Sequence, residues 1–529
     1  METGLTPHCD LIGALREAVG SDAVIIDDVV LAGMASDLYA EGPLPVVVIR
    51  PRTSTALAAA VAATTSRGYS VVPRGGGLSY TGGYVCEPEH TVLVDLSSLD
   101  RIVEVSAQDM YMVAEAGVTW KQLYETLTPL GLRLPCFGTF SGAGATVGGG
   151  LSHGALFFGS ARYGTVADNA LGLEVVTADG TLLRTGQWAL QKSPSPVFRN
   201  FGPDTTGLFL HDGGALGIKT RASLRLIRLP TANGYASYAF ATFAAAGRAL
   251  SAVARAGVAE EAYVLDPGAV AIQSERGNSL GDAWHAIRQI WSSTRGMMAG
   301  IKALVELARA GRAVIPEGAF TLHMVAAGAC QATVLDDLAC ARQLALAEGG
   351  VAIAATVPRI ARADPFPPLN AVLDASGSRW AALNVKVAHS LAQALIHEHK
   401  ALVARHRQAM HDCGVRVTWL CSALGNHSFS FEAVFHWFDT WLPLHQQKVD
   451  PALLASFARP TPNPVARALV ATLREETCAL FRDLGGASSQ IGRTYPFLET
   501  LDPAPAALLR GLKTQLDPSR RMNPGVLGL

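Results

Sequence analysis

Between Arg74 and Gly83 the chain places Gly75, Gly76, Gly77, Gly82 and Gly83 in a single short run. Such a run cannot pack a core, but it can do chemistry with its backbone. Glycine takes positive φ values that other residues resist. Successive N–H groups in a tight turn form a concavity that fits an anion such as a phosphate. Two more tracts follow, Gly142-Ala143-Gly144-Ala145-Thr146-Val147-Gly148-Gly149-Gly150 and Gly213-Gly214-Ala215-Leu216-Gly217-Ile218. One tract alone is compatible with an ordinary surface loop. Three, each near a strand end, predict a long ligand touched by backbone at several points, and a dinucleotide with its pyrophosphate fits. A Rossmann fingerprint does not explain them: Gly142-x-Gly144 lacks a clear preceding strand, a suitably placed acid, and a glycine at the sixth position, which is Val147.

Side chains for proton transfer are fewer than the 14 histidines suggest. His397, His399, His406 and His411 share a segment with Glu398, Lys400 and Arg405 and read as the solvated face of a helix. The segment His427 to His436 alternates as a strand. His427, Phe429, Phe431, Ala433 and Phe435 fall on one face, and Ser428, Ser430, Glu432, Val434 and His436 on the other. His427 therefore reads either as part of a substrate wall or as a satisfied core histidine. In Gln490-Ile491-Gly492-Arg493-Thr494-Tyr495, Arg493 could clamp a carboxylate through paired hydrogen bonds or hold a domain joint. Tyr80 and Tyr495 are candidates for the pocket wall, and His389 is a weaker one. His427 and His436 do not make a metal site without a carboxylate of known position, so no metal is expected.

The elements that position these groups can be read from periodicity and punctuation. A helix is expected over Leu11–Val19 and a strand over Pro43–Arg50. Thr53 and Ser54 cap an alanine-rich helix that runs to about Ser66, with Gly68 as its stop. The strand Tyr69–Val72 follows and delivers the first glycine loop at its C-terminal end, where ligands bind in such units. Strands are expected at Thr91–Asp95, Ile102–Val105, Met110–Ala114 and Leu171–Thr177, and a helix at Trp120–Leu130. Ala178-Asp179-Gly180 is a hairpin turn signal. Pro230 marks a change to alanine-rich helical stretches with strands at Phe320–Val325, Val351–Val357 and Val415–Leu420. Pro358 to Pro368 reads as a loop.

The chain has 529 residues, 49% hydrophobic and 16% charged, with a formal net charge of −1. No basic stripe argues for nucleic acid. No apolar run reaches the roughly 20 residues that span a bilayer, and residues 1–10 lack the features of a signal peptide. A cytoplasmic protein without a transmembrane segment is expected. The eight cysteines form no CxxC and read as small buried residues rather than a disulfide frame or a zinc site.

As a set the motifs resemble the vanillyl-alcohol oxidase / p-cresol methylhydroxylase superfamily of FAD proteins. Arg74 to Ser79 resembles its first pyrophosphate loop and Gly142 to Gly150 its second flavin segment. Arg162-Tyr163-Gly164, Asp168 and Leu171 to Gly180 are similar to the run that follows. Asp204 to Phe209 and Leu216 to Thr220 resemble the closing part. Asp517-Pro518 and Asn523-Pro524-Gly525 resemble the return of the chain to the flavin domain. The resemblance covers about residues 43–230 and 490–529. It implies an α+β fold: a two-subdomain FAD-binding domain of the p-cresol methylhydroxylase type and an α+β cap domain with an antiparallel sheet. The division it suggests is an N-terminal helical segment (1–42), the FAD-binding domain (43–230), the cap (231–489) and the return (490–529). The FAD contacts it implies are Arg74, Gly75, Gly76, Gly77, Leu78, Ser79, Gly82, Gly142, Gly144, Thr146, Gly148, Gly149, Arg162, Tyr163, Gly164, Asp168, Gly217, Ile218 and Asn523.

Departures from the relatives refine this reading. Leu78 stands where some members link flavin through a histidine, and Gly144 where the berberine-bridge type has a cysteine. Noncovalent FAD is therefore expected, with His427 a conceivable cap-domain link. The metal-binding segments of D-2-hydroxyglutarate-type members correspond to Cys421–Ser428 and Ser488–Gly492, where those ligands are missing or displaced. Gly213 replaces a glutamate common in the third loop. The resemblance implies an FAD-dependent oxidoreductase acting on a small hydroxylated substrate, with the lactate/glycolate branch closest and a 2-hydroxy acid favoured. Hydride passes to flavin N5 while a side chain takes the hydroxyl proton, and His427, Arg493 and Tyr495 are the catalytic candidates. Two alternatives stand beside it. One is a para-substituted phenol as substrate, for which Arg493 matches an arginine of phenol-oxidising relatives although their neighbouring tyrosine is Gly492 here. The other is a non-redox transferase like alkylglycerone-phosphate synthase. Oxygen, a quinone or a cytochrome could take the electrons, and a homo-oligomer is open.

Overall fold

The computed structural model describes residues 8–86, 90–193, 195–276, 316–369 and 372–529. Its first layer is built on short apolar strands. These are β1 (Val24–Ile25), β2 (Val47–Ile49), β3 (Ser70–Arg74) and β4 (Thr91–Asp95), in the order β1-β2-β4-β3, with β2–β4 and β3–β4 parallel. Val47, Val48, Ile49, Val92, Leu93 and Val94 are fully buried, as parallel strands covered on both faces require. Helices α1 (Cys9–Val19) and α3 (Ser54–Thr65) pack on one side and α2 (Asp28–Ala35) on the other. Thr53 starts α3 by accepting the Ala56 N–H at 3.1 Å.

The second sheet is antiparallel. It comprises β5 (Ile102–Ser106), β6 (Tyr111–Glu115), β8 (Ala170–Val176), β9 (Leu182–Arg184) and β10 (Ile218–Arg225), in the order β5-β6-β10-β8-β9. A short ribbon pairs β7 (Leu132–Arg133) with β11 (Ile227–Arg228). Helices α4 (Trp120–Leu127) and α5 (Val147–His153) flank this sheet, and the second glycine tract leads into α5.

The third sheet has seven strands, all antiparallel: β12 (Ala232–Phe240), β13 (Glu261–Leu265), β14 (Phe320–Gly328), β15 (Val351–Ile353), β16 (Ser378–Val387), β17 (Arg416–Leu424) and β18 (Ser428–Phe438). Their order is β15-β12-β14-β13-β17-β18-β16. The helices Phe243–Ala256, Ala392–Arg405 and Pro464–Asp483 cover one face of it. The opposite face turns toward the glycine loops. Among the described residues no helix is long and apolar enough to cross a membrane.

Three sequence expectations need correction. The strand expected over Val351–Val357 stops at Ile353, and Thr356–Ala363 is helical rather than loop. Pro358 falls in the first turn of that helix, where a missing N–H costs nothing. His399 does not belong to a solvated face. It is fully buried, accepts the Trp419 Nε1–H at 3.0 Å on Nδ1, and pairs through Nε2 with Thr477 Oγ1 at 3.2 Å. Cys9 and Cys330 are exposed rather than buried.

Candidate functional site

A cavity of about 250 Å³ opens between the glycine loops and the uncovered face of the third sheet. Backbone forms one wall: Gly75, Gly76, Gly77, Leu78 and Ser79, then Thr146, Gly148, Gly149 and Gly150, then Gly213, Gly214, Gly217 and Ile218. Glycine is required here by close approach as well as by conformation. A Cβ on Gly76 would collide with the Gly144 carbonyl, and one on Gly75 would lie 2.5 Å from Thr146 Oγ1. The first two loops therefore interlock. Among the described residues no acceptor meets the N–H groups of Gly75, Gly76, Gly77, Leu78 and Ser79. Burying N–H groups without partners costs free energy, so these five are free for a ligand's oxygens. Beneath them lies the Arg74 guanidinium, whose Nε and Nη2 have no hydrogen-bond partner. A row of free donors over a buried cation fits the pyrophosphate of a dinucleotide.

The remaining sequence-predicted FAD contacts brace this wall rather than line it. The Gly82 N–H donates to Asp37 Oδ2 at 3.0 Å. Gly142 packs on Phe366, and Gly144 packs between Leu369 and Leu78. Arg162 reaches away to the Ala327 carbonyl at 2.7 Å, and Tyr163 lies under the Arg133 guanidinium. Gly164 turns the chain at φ 78°, next to the Asp168 carboxylate. Asp168 accepts the Thr165 N–H at 2.7 Å. Asn523 donates through Nδ2 to the carbonyls of Gly83 and Gly213, at 2.8 and 2.7 Å, tying two glycine loops together.

None of the three predicted catalytic side chains lines the cavity. His427 sits exposed at the turn between β17 and β18. Its strand-mates Phe429, Phe431 and Phe435 are fully buried on the helix-covered face, so the aromatic face of β18 is core and not substrate wall. Arg493 lies under the first loop and donates to the carbonyls of Gly82 and Pro524, each at 2.6 Å, and to Asn523 Oδ1 at 3.1 Å. Tyr495 is buried with its hydroxyl bridging the backbone of Asn384. It accepts the Asn384 N–H at 2.7 Å and donates to the carbonyl at 3.1 Å. Tyr80, by contrast, does line the cavity, beside Trp380 at 5.3 Å between ring centroids.

The groups that face the loops come from the even positions of the cap strands: Trp380, Asn384 and Lys386 of β16, Leu420 and Ser422 of β17, Ser430 and Glu432 of β18. In register, Asn384 stands opposite Glu432 and Lys386 opposite Ser430. The Lys386 ammonium donates to Ser489 Oγ at 2.5 Å and to Asn384 Oδ1. Burial draws it down to about 7, and burial pushes the Glu432 carboxyl up to about 7. His153, at the end of α5, joins the lining, and burial lowers it to about 4. The alternation of β18 was legible in the sequence and put Glu432 on the face opposite the aromatics. The signal that this polar face lines the cavity was the presence of a carboxylate among serines. Lys386 carried a similar signal, a lone lysine in the apolar run Trp380 to Val387.

Residues 45–186 match the family model of the FAD binding domain. Over 243 residues the chain is 28% identical to the mitochondrial D-lactate dehydrogenase [cytochrome] of Kluyveromyces lactis, covering 45% of this chain and 40% of that one. Over 222 residues it is 31% identical to the probable mitochondrial D-lactate dehydrogenase of Danio rerio, covering 42% of this chain and 43% of that one. The matches thus span less than half of these relatives' length. In structure the chain is similar to the 4-ethylphenol oxidase of Gulosibacter chungangensis, with a TM-score of 0.73 at 18% identity, covering 99% of this chain and 98% of that one. Fold and glycine-walled cavity together define an FAD-binding protein with an α+β cap. The chain carries an FAD binding domain, and its relatives are consistent with the vanillyl-alcohol oxidase / p-cresol methylhydroxylase superfamily of FAD-linked oxidases.

Proposed function

We propose that this protein is an FAD-dependent oxidoreductase that oxidises a small 2-hydroxy acid. The observation that carries the reading is the polar end of the cavity, where an ammonium and a carboxyl stand on one sheet face opposite a wall of free backbone N–H groups. FAD, when bound, supplies the electron acceptor for the substrate's C–H hydrogen and electron pair. The chain's own residues then have two tasks: to hold the substrate's carboxylate and to receive its hydroxyl proton. The D-lactate dehydrogenases among its relatives support the substrate class. We take the FAD to be held noncovalently, because Leu78 and Gly144 offer no nucleophile at the two linkage positions. A para-substituted phenol is the second reading. Tyr80, Phe140, Phe157 and Trp380 in the cavity wall favour it, as aromatic rings would stack on one another there.

The deciding experiment is anaerobic addition of a substrate panel to the flavin-loaded protein, read at the flavin absorbance. Bleaching by 2-hydroxy acids such as D-lactate, with no response to 4-alkylphenols, is the expected result. Bleaching by the phenols alone establishes the second reading. Purified protein without flavin overturns both.

A further inference from the structure

Lys386 and Glu432 are diagonal neighbours on adjacent antiparallel strands, on the face that lines the cavity. No ion pair closes between them among the described residues. Lys386 is held firmly. Its N–H donates to the Ala487 carbonyl at 2.7 Å and its own carbonyl accepts from Ala487 at 3.0 Å. Its side chain has three N–H donors, of which two are spent on Asn384 Oδ1 and Ser489 Oγ. Both acceptors are themselves fixed: Ser489 donates from N and Oγ to Asn384 Oδ1 at 3.2 and 3.0 Å, and Tyr495 brackets the Asn384 backbone. The third ammonium donor is left for the cavity. Glu432 is the converse case, a cavity-lining carboxyl to which no described residue donates. A half-buried carboxyl left without a donor is costly, and a purely structural role for the two residues would have closed the pair.

From this geometry we infer that Lys386 anchors the carboxylate of the substrate while Glu432 receives the proton of its hydroxyl. The inference rests on the oxidation reading above for the role of Glu432, but not for that of Lys386. In the proton step the substrate O–H bond breaks, a Glu432 carboxyl O–H bond forms, and the oxygen's electron pair becomes available to form the carbonyl. Diagonal cross-strand neighbours stand roughly 7–8 Å apart at the backbone, so one small molecule reaches both. The titratable groups that feel this pair are Tyr80, Tyr495 and Cys421 on the Glu432 side and His211 on the Lys386 side. Burial raises the first three and lowers His211, so all four are uncharged near neutrality.

Two readouts test the two roles separately on the flavin-loaded protein. Oxalate, a carboxylate that cannot be oxidised by this step, is titrated against the flavin spectrum. Lys386→Met is expected to weaken its binding at least tenfold, as loss of a charge-assisted hydrogen bond does, and Glu432→Gln is expected to leave it unweakened. Anaerobic flavin reduction by the best 2-hydroxy acid is then followed in time. Glu432→Gln is expected to slow it about 100-fold or more, the range of a lost general base, with KM little changed and the low-pH limb of the rate profile abolished. Flavin content and the unfolding midpoint of each variant establish that it is folded. Wild-type oxalate affinity in Lys386→Met, or wild-type reduction rate in Glu432→Gln, overturns the corresponding role. Oxalate binding that depends on Lys386 in a protein whose flavin no 2-hydroxy acid reduces leaves the anchor standing and overturns the oxidation reading with Glu432's role. Absence of oxalate binding in the wild type overturns the anchor.

Discussion

Tyr495 and Arg493 are chemically suited to a flavin site, and the fold uses both to hold others in place. The Tyr495 hydroxyl satisfies both polar groups of the Asn384 backbone, and Asn384 in turn accepts from Lys386 and Ser489. Tyr495→Phe leaves the Asn384 N–H buried without an acceptor. The expected cost is about 1–3 kcal/mol in chemical denaturation, while the pH dependence of flavin reduction keeps its shape. A changed pH profile in that variant would show that the hydroxyl takes part in proton transfer after all. Residue type alone could not separate these cases. An arginine that spans three acceptors on the first loop and on residues 523–524 looks, in sequence, like one that clamps a substrate. The glycine loops were easier to read, because what the cavity takes from them is backbone, and glycine is where backbone is exposed.

At the scale of elements, the strand β18 carries the clearest lesson. Its alternation was plain in sequence, yet alternation divides a strand into two faces without saying which one is core. Aromatic residues on one face suggested a wall around the substrate. In the fold Phe431 meets Phe243, His399 and Phe481 from the covering helices, Phe429 and Phe435 are buried on the same face, and Ser430 and Glu432 take the cavity side. Around β18 the long helices lie on one side of the sheet and its apolar face is buried beneath them, and this could have been inferred from the helical stretches that flank β18. His399 was misread for a related reason: its helix is polar at both neighbours but presents that one position to the aromatic layer. Phe431→Ala should cost about 3–5 kcal/mol, the range for emptying a phenylalanine-sized space in a core. Equilibrium unfolding in urea measures it. A loss below 1 kcal/mol would contradict the placement of that face.

The whole molecule joins its loops and its cap through buried charge. Arg133 pairs with Glu260 at 2.5 Å, and Arg362 pairs with both Glu260 and Glu261. These pairs tie the ribbon strand β7 to β13 and to the helix Thr356–Ala363. Buried histidines contribute to the acid limit, His323 and His399 most strongly. Burial lowers His323 and His399 to about 3 from an ordinary 6.5. Below pH 6.5 the unfolded chain takes up their protons while the folded chain does not, so stability is full above 6.5 and declines as pH falls toward 3. Linkage gives about 2 kcal/mol lost per histidine at pH 5. Denaturation midpoints between pH 7 and pH 5 should fall accordingly, and His399→Gln should reduce the slope. An unchanged slope would show that other groups dominate.

Asn523 has a consequence for how the protein is made. It is the residue that ties the Gly83 and Gly213 carbonyls together, across 440 positions of chain in the first case. Met522 also lies beside Val71 as an extra parallel partner of β3. A ribosome adding about 5–20 residues per second delivers the first glycine loop long before it delivers this tie, by roughly 20–90 s. Until then the loop lacks Asn523, and for most of that time it lacks Arg493 as well. The nascent chain should therefore hold FAD poorly, and cofactor capture becomes one of the last events of its folding rather than a nucleus for it.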